Sequence, residues 1–221
     1  MERLYCLLLG YVFGLFQTGF IYGKLHHIDI RQHGSGNAGT TNALRTLGWK
    51  AGFVTFIGDV SKVLLAALVV RLLFKENSDI SYKLLLMYSG IGAVLGHNFP
   101  FYLKFKGGKG IAATAGFIIS LGSWQLVVLG LFFFFGTLII TKYVSAASLM
   151  MLLSTFAGYV LFSYYGIIGS YSVGPMWYES IGMMLLFVVF GFVRHRANIS
   201  RIIHGTENKF RIKKNMTEET K

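Results

Sequence analysis

Three short polar stretches interrupt a sequence that is otherwise strongly apolar, and each carries residues suited to holding an anion. The first, IRQHGSGNAGTTNALRTLGWKAG, alternates glycines with Ser35, Asn37, Thr41 and Asn42 before reaching Arg45. Glycine lets the backbone approach a ligand, hydroxyl and amide groups supply donors, and a guanidinium can grip a phosphate through two parallel bonds. The same residue types also cap helices at a membrane-surface turn, so this stretch alone leaves both readings open. The second, GHNFPFYLKFKGGKGIAAT, sets Gly107, Gly108, Lys109 and Gly110 directly before a short apolar segment. A glycine loop at a helix N-terminus presents free N–H groups and the positive end of the dipole, and Lys106 and Lys109 add charge. It is not a Walker loop: that pattern needs glycine where Leu103 stands, and Ser or Thr directly after Lys109. His97 suits either a buried structural role or ligand contact. The third, RHRANISRIIHGTENK, places His195, Asn198 and Arg201 on one face if it is helical. That face would carry a proton acceptor, an orienting amide and an anion clamp, although such a basic run is also an ordinary solvated helix end.

Gly34, Gly36 and Gly39 form a literal G-x-G-x-x-G, with Asp59 twenty residues further on. In a dinucleotide site those glycines follow a buried strand and open a helix within a βαβ unit. Here they follow an apolar run and a basic linker, and Asp59 falls inside the next apolar run, so the nucleotide reading fails. Asp59 and Lys62, at i and i+3, are read instead as an ion pair walling a polar cavity. Glu179 and the aromatics around Trp177 read as interface anchors.

The elements that must position these stretches are membrane helices. Of 221 residues, 54% are hydrophobic and 14% charged, with mean hydropathy +0.57 and a net charge of +12. Soluble domains carry about 25% charged residues. The apolar runs are 4–22, 52–74, 83–99, 111–121, 124–141, 143–165 and 176–193, continuous rather than alternating, which predicts helices and not a barrel. The first is too long for a signal-peptide core and reads as a span that stays. Residues 111–141 are either one long helix or two crossings joined at Leu121-Gly122-Ser123-Trp124. The islands 23–51, 100–110 and 194–221 hold four, three and eight Lys and Arg residues. The positive-inside rule therefore places them in the cytoplasm and the N-terminus outside, which requires two crossings in 111–141 and seven in all. The expectation is one all-α membrane domain, a seven-helix bundle, ending in a basic cytoplasmic tail, 209–221. The lone Cys6 can form no internal disulfide. No metal-ligand constellation is visible, so neither metal nor cofactor is expected, and the basic islands lack the aromatic interleaving of a nucleic-acid surface.

Together the islands resemble the three signature motifs of the PlsY family, bacterial acyl-phosphate:glycerol-3-phosphate acyltransferases of the inner membrane. The matching residues are Ser35-Gly36-Asn37-x-Gly39-x-Thr41-Asn42-x-x-Arg45, then Gly96-His97-x-x-Pro100 with Phe105 to Gly110. The third set is Arg194-His195-x-x-Asn198-Ile199-x-Arg201 with Glu207. The resemblance spans nearly the whole chain; Thr40 departs from it, standing where the family usually has Ala. It implies transfer of a fatty acyl group from acyl phosphate to the 1-hydroxyl of sn-glycerol 3-phosphate, giving lysophosphatidic acid at the membrane lipid. On that reading Gly107, Gly108, Gly110 and Lys109 cradle the leaving phosphate. Arg45, Arg201 and Lys106 hold the glycerol phosphate, and Ser35, Asn37 and Asn198 orient hydroxyl and carbonyl. Thr41, Asn42, His97 and Glu207 complete the binding set. The base is either His195 or a phosphate oxygen of the donor. An acyl-CoA enzyme with an H-x-x-x-x-D motif is disfavoured, since no histidine has Asp five residues on. The alternative of another class is a transporter or channel for an organic phosphate, which would show inverted repeats and broken helices at mid-membrane.

Overall fold

The computed structural model describes residues 1–76, 78, 80–168 and 173–210, and no strand occurs among them. The expected tail therefore lies, beyond Phe210, outside the described residues. Helices α1 (Glu2–Gly14) and α2 (Thr18–Leu25) form a first interrupted span, followed by the short α3 (Thr40–Leu47). Then come α4 (Trp49–Phe74), α5 (Tyr82–Asn98), α6 (Ile111–Ser120), α7 (Trp124–Thr141), α8 (Val144–Tyr164) and α9 (Pro175–Ile203). Among the described residues, six segments are long and apolar enough to cross a membrane: Glu2–Leu25, Trp49–Phe74, Tyr82–Leu103, Trp124–Thr141, Val144–Tyr164 and Pro175–Ile203. The chain is thus an all-helical, multi-pass membrane protein. Helix α6, with ten residues, is about 15 Å long, half a hydrocarbon core.

The sequence pattern explains these helices and their faces. On α4, Asp59, Val63, Ala66 and Val70 recur at helical spacing and are buried, while Phe53, Ile57, Leu65, Leu68 and Leu72 are exposed as lipid-facing residues would be. Helix α5 is the most enclosed, packed between α1, α4, α6 and α9. Its contact with α1 is a small-residue seam in which Gly10 and Gly14 face Ser89 and Ala93, and Gly92 and Gly96 face Leu7 and Tyr11. With no Cβ on the glycine at each contact the two backbones approach closely, the usual basis of packing between membrane helices. Phe117 of α6 stacks on Phe187 of α9, ring centroids 4.2 Å apart.

Two expected boundaries differ. The first apolar run is not one helix: it breaks at Leu15–Gln17, where the buried Gln17 amide donates to the carbonyls of Gly14 (3.2 Å) and His97 (3.1 Å). The last helix continues past residue 193 to Ile203 and so carries the third island on an extension of the span. The segment 111–141 does part into two helices. Gly122 turns the chain with positive φ, and the Ser123 hydroxyl accepts from the Leu126 N–H at the start of α7.

Candidate functional site

All three islands arrive at one end of the bundle and enclose a cavity of about 260 Å³. Its size is at the low end of small-ligand sites. The first island is folded by Asn42, which is almost fully buried. Its Nδ2 donates to the carbonyls of Ile30 (2.7 Å), His33 (3.0 Å) and Asn37 (2.8 Å), and its Oδ1 accepts from the Ser35 N–H and hydroxyl. Asn37 in turn accepts from the Gly39 N–H at 2.9 Å. These bonds set Gly39, Thr40 and Thr41 at the start of α3 against the cavity. Arg45, two turns along at most, reaches the same cavity from an exposed position. It makes no hydrogen bond or ion pair among the described residues.

The second island delivers a second helix start. Gly110 has φ +82°, the left-handed conformation natural to glycine, and it caps α6 so that Lys109, Gly110, Ile111 and Ala112 line the cavity. The first N–H groups of a helix have no partner within it and lie at its positive end. Two such ends, of α3 and α6, therefore converge on one space.

The third island closes it. Lys109 Nζ donates to Asn198 Oδ1, Asn198 Nδ2 donates to Glu207 Oε1 at 2.6 Å, and Arg201 Nε donates to Glu207 Oε2 at 2.7 Å. Ser145, at the start of α8, donates to the same carboxylate at 2.8 Å. Burial depresses the Lys109 ammonium to about 8, although Glu207 opposes the shift. Burial pushes the Glu207 carboxyl up, but the bonds from Asn198, Ser145 and Arg201 outweigh it and hold the group below its ordinary value. His195 is buried, and its Nδ1 lies 2.8 Å from the Gly191 carbonyl oxygen. A carbonyl can only accept, so Nδ1 carries the proton of the neutral ring and Nε2 is left with a lone pair.

Beneath these groups lies a buried ionic cluster. Lys62 Nζ sits 2.9 Å from Asp59 Oδ1, 2.8 Å from His97 Nδ1 and 2.7 Å from the Phe16 carbonyl oxygen at the break between α1 and α2. Asp59 and His97 line the cavity, so the expected ion pair forms part of a polar wall. Among the described residues no three His, Cys, Asp or Glu side chains gather as a metal site requires.

Ser35, Asn37, Thr41, Asn42, Arg45, His97, Lys109, Gly110, His195, Asn198, Arg201 and Glu207 line the cavity together; Lys106, Gly107 and Gly108 do not. Lys106 is exposed. The Gly107 and Gly108 N–H groups already donate to the carbonyls of Asn98 (3.2 Å) and His97 (3.0 Å) and so are not turned to the cavity. The glycines are needed for packing instead: a Cβ on Gly108 would overlap the His97 ring, and one on Gly107 the His97 carbonyl. Asn42 lines the cavity as a brace of the loop, with its amide committed to protein groups. Sequence reasoning missed Ser145 and the apolar wall of Leu131, Phe134, Phe135 and Met151 in the lining, and Gln17, which braces the helix break against the His97 carbonyl. Gln17 had a signal, a lone amide within an apolar run; the wall residues had none, since they look like any other lipid-facing side chains.

A protein-family model described as glycerol-3-phosphate acyltransferase matches residues 4–205. Curated relatives carrying the same name include one from Bacillus subtilis, 41% identical over 205 residues and covering 92% of this chain and 95% of the relative. Another, from Alkaliphilus metalliredigens, is 39% identical over 213 residues, with coverages of 95% and 96%. Among solved structures, a crystal structure of PlsY, an integral membrane glycerol 3-phosphate acyltransferase, in its glycerol 3-phosphate form, superposes with a TM-score of 0.79 at 30% identity over 96% of both chains. Its lysophosphatidic acid form gives a TM-score of 0.77.

Proposed function

The chain belongs to the glycerol-3-phosphate acyltransferase family of the PlsY type, and from that premise we propose that it acylates the 1-hydroxyl of sn-glycerol 3-phosphate with acyl phosphate as donor. The observation that carries this reading is the pairing of two helix N-termini with three cations, Arg45, Lys109 and Arg201, around His195. Both substrates bring a phosphate, and each helix start offers a place for one. In this reading the donor phosphate sits at the start of α6 beside Lys109, and the glycerol phosphate at the start of α3 beside Arg45, with Arg201 on the opposite wall. The fatty chain follows the apolar wall of α7 and α8.

The 1-hydroxyl oxygen attacks the acyl carbonyl carbon, the carbon–oxygen bond to phosphate breaks, and inorganic phosphate departs with its electron pair. The hydroxyl proton passes to His195 Nε2, which stands free because Gly191 holds the other ring nitrogen. Asn198 spans Lys109 and Glu207, so its part is to hold Lys109 in place, with one Nδ2–H left for substrate. Acyl phosphate is a mixed anhydride with a good leaving group, so no covalent enzyme intermediate is required.

We also propose seven crossings of the bacterial inner membrane, with the cavity on the cytoplasmic side. Helix α6 begins beside Asn98 at one end of α5, and the turn after it, at Leu121 and Ser123, borders a small cavity with Lys83 at the other end. A short helix suffices because it starts from a recessed loop. The transporter alternative finds no support: the polar residues gather at one end of the bundle, not at mid-membrane. The deciding experiment gives purified protein in detergent acyl phosphate and labelled glycerol 3-phosphate and looks for labelled lysophosphatidic acid. No product with acyl phosphate, but product with another activated acyl donor, would overturn the donor assignment; no product from any donor would overturn the reaction.

A further inference from the structure

Arg194 precedes His195 yet does not line the cavity. Its Nη2 donates to the carbonyl oxygens of Gly107 (3.1 Å) and Gly108 (2.8 Å), and its guanidinium carbon lies 5.2 Å from the centre of the Phe99 ring. A trans peptide group is planar, with its C=O and N–H directed to opposite sides. In the Gly107–Gly108 peptide both sides are occupied: the carbonyl meets Arg194, and the Gly108 N–H donates to the His97 carbonyl at 3.0 Å. In the next peptide the Gly108 carbonyl again meets Arg194, so the Lys109 N–H is turned the other way. No acceptor meets it among the described residues, and Lys109 and Gly110 border the cavity.

We infer that Arg194 is a positioning residue: by gripping two glycine carbonyls it turns the Lys109 N–H into the cavity and completes the cradle for the donor's phosphate. The cradle then consists of the Lys109 N–H with those of Ile111 and Ala112 at the start of α6, backed by the Lys109 ammonium. Glycine has the widest backbone freedom of any residue, so an unclamped Gly108–Lys109 peptide flips readily. A flipped peptide presents a carbonyl dipole to the anion and repels it. The identity of the ligand as acyl phosphate rests on the function proposed above; the selection for a phosphate group rests on the loop geometry alone.

The test uses the full-length protein in detergent and compares Arg194→Ala and Arg194→Lys with the unsubstituted chain. The readouts are KM for acyl phosphate, KM for glycerol 3-phosphate, and Kd for inorganic phosphate by calorimetry with glycerol 3-phosphate saturating. Arg194→Ala is expected to raise the donor KM and the phosphate Kd by about tenfold or more, as when a hydrogen bond to an anion is lost. The acceptor KM should stay within about twofold, a split that general loosening of the site does not produce. Added guanidinium should restore most of the affinity, and Arg194→Lys, which keeps a cationic donor for Gly108, should lose less. An unmoved donor KM and phosphate Kd, an equal rise in both KM values, or a loss that guanidinium leaves unchanged overturns the inference. Should the alanine variant fail to fold, the lysine variant carries the same comparison. If the unsubstituted protein yields no product, the functional reading falls, while the phosphate Kd values still decide the role of Arg194.

Discussion

His195 has one ring nitrogen held by the Gly191 carbonyl and the other open to the cavity. Glutamine at this position keeps an amide of similar reach but no basic nitrogen. His195→Gln is therefore expected to lower kcat by about 10²–10⁴-fold, the usual worth of a general base, with both KM values little changed. A fall of less than about tenfold would assign the proton to the donor's phosphate oxygen instead. Lys109 gives a pH signature of its own. Burial lowers its pKa from 10.5 to about 8, so in the empty site it is charged below that value and neutral above it. Phosphate affinity should hold at neutral pH and decline as pH rises through about 8, well before an ordinary lysine titrates. Binding an anion favours the charged form, so the decline is gradual. Donor KM measured across that range checks this, and a value flat to the ordinary lysine range would remove Lys109 from the phosphate site.

Among the elements, the α1–α5 seam sets the floor of the site, because α5 carries His97 and α1 leads into Gln17. A Cβ on Gly92 would overlap the Leu7 carbonyl oxygen, which is backbone and cannot swing aside. Gly92→Val should therefore destabilise the protein by about 1–3 kcal/mol or more, read as a lower melting temperature in detergent. Gly136→Val on the open face of α7, where nothing lies within 4 Å of an added Cβ, should leave it nearly unchanged. How much of this was legible in sequence differs by kind of contact. Runs of apolar residues mark helices, because a bilayer requires continuous apolar length, and the parting of 111–141 at Gly122–Ser123 was legible through the distribution of Lys and Arg. Asn198 and Arg201 were legible as a helical face. The break at Gln17 was not foreseen, because it depends on carbonyls of α5 nearly eighty residues away. The packing duties of Gly107 and Gly108 were not legible for the same reason: a glycine that admits a neighbouring ring and one that admits a phosphate look identical until the neighbour is known.

Across the whole molecule, α9 ties two ends together. Its Glu179 accepts from Arg3 Nε and Nη2 at 2.6 and 2.8 Å and from the Tyr88 hydroxyl at 2.6 Å, while Asn198 stands at the cavity. Nineteen residues of helix separate them, about 28 Å, close to the thickness of a hydrocarbon core. Single cysteines at His33, Lys104 and His204 should all label from one side of sealed vesicles, and cysteines at Lys75 and Tyr178 from the other. The native Cys6 is buried and should stay silent. Labelling of the first three from different sides would mean that the islands share no pocket. The cavity itself has an asymmetry with a further result. Arg45 borders it from an exposed position, and Phe56 of α4 with Leu131 and Phe135 of α7, exposed apolar side chains, border it too. On the proposed acyl transfer, a chamber bordered by both would let a greasy tail enter straight from the bilayer, and turnover should then slow as the surrounding lipid stiffens.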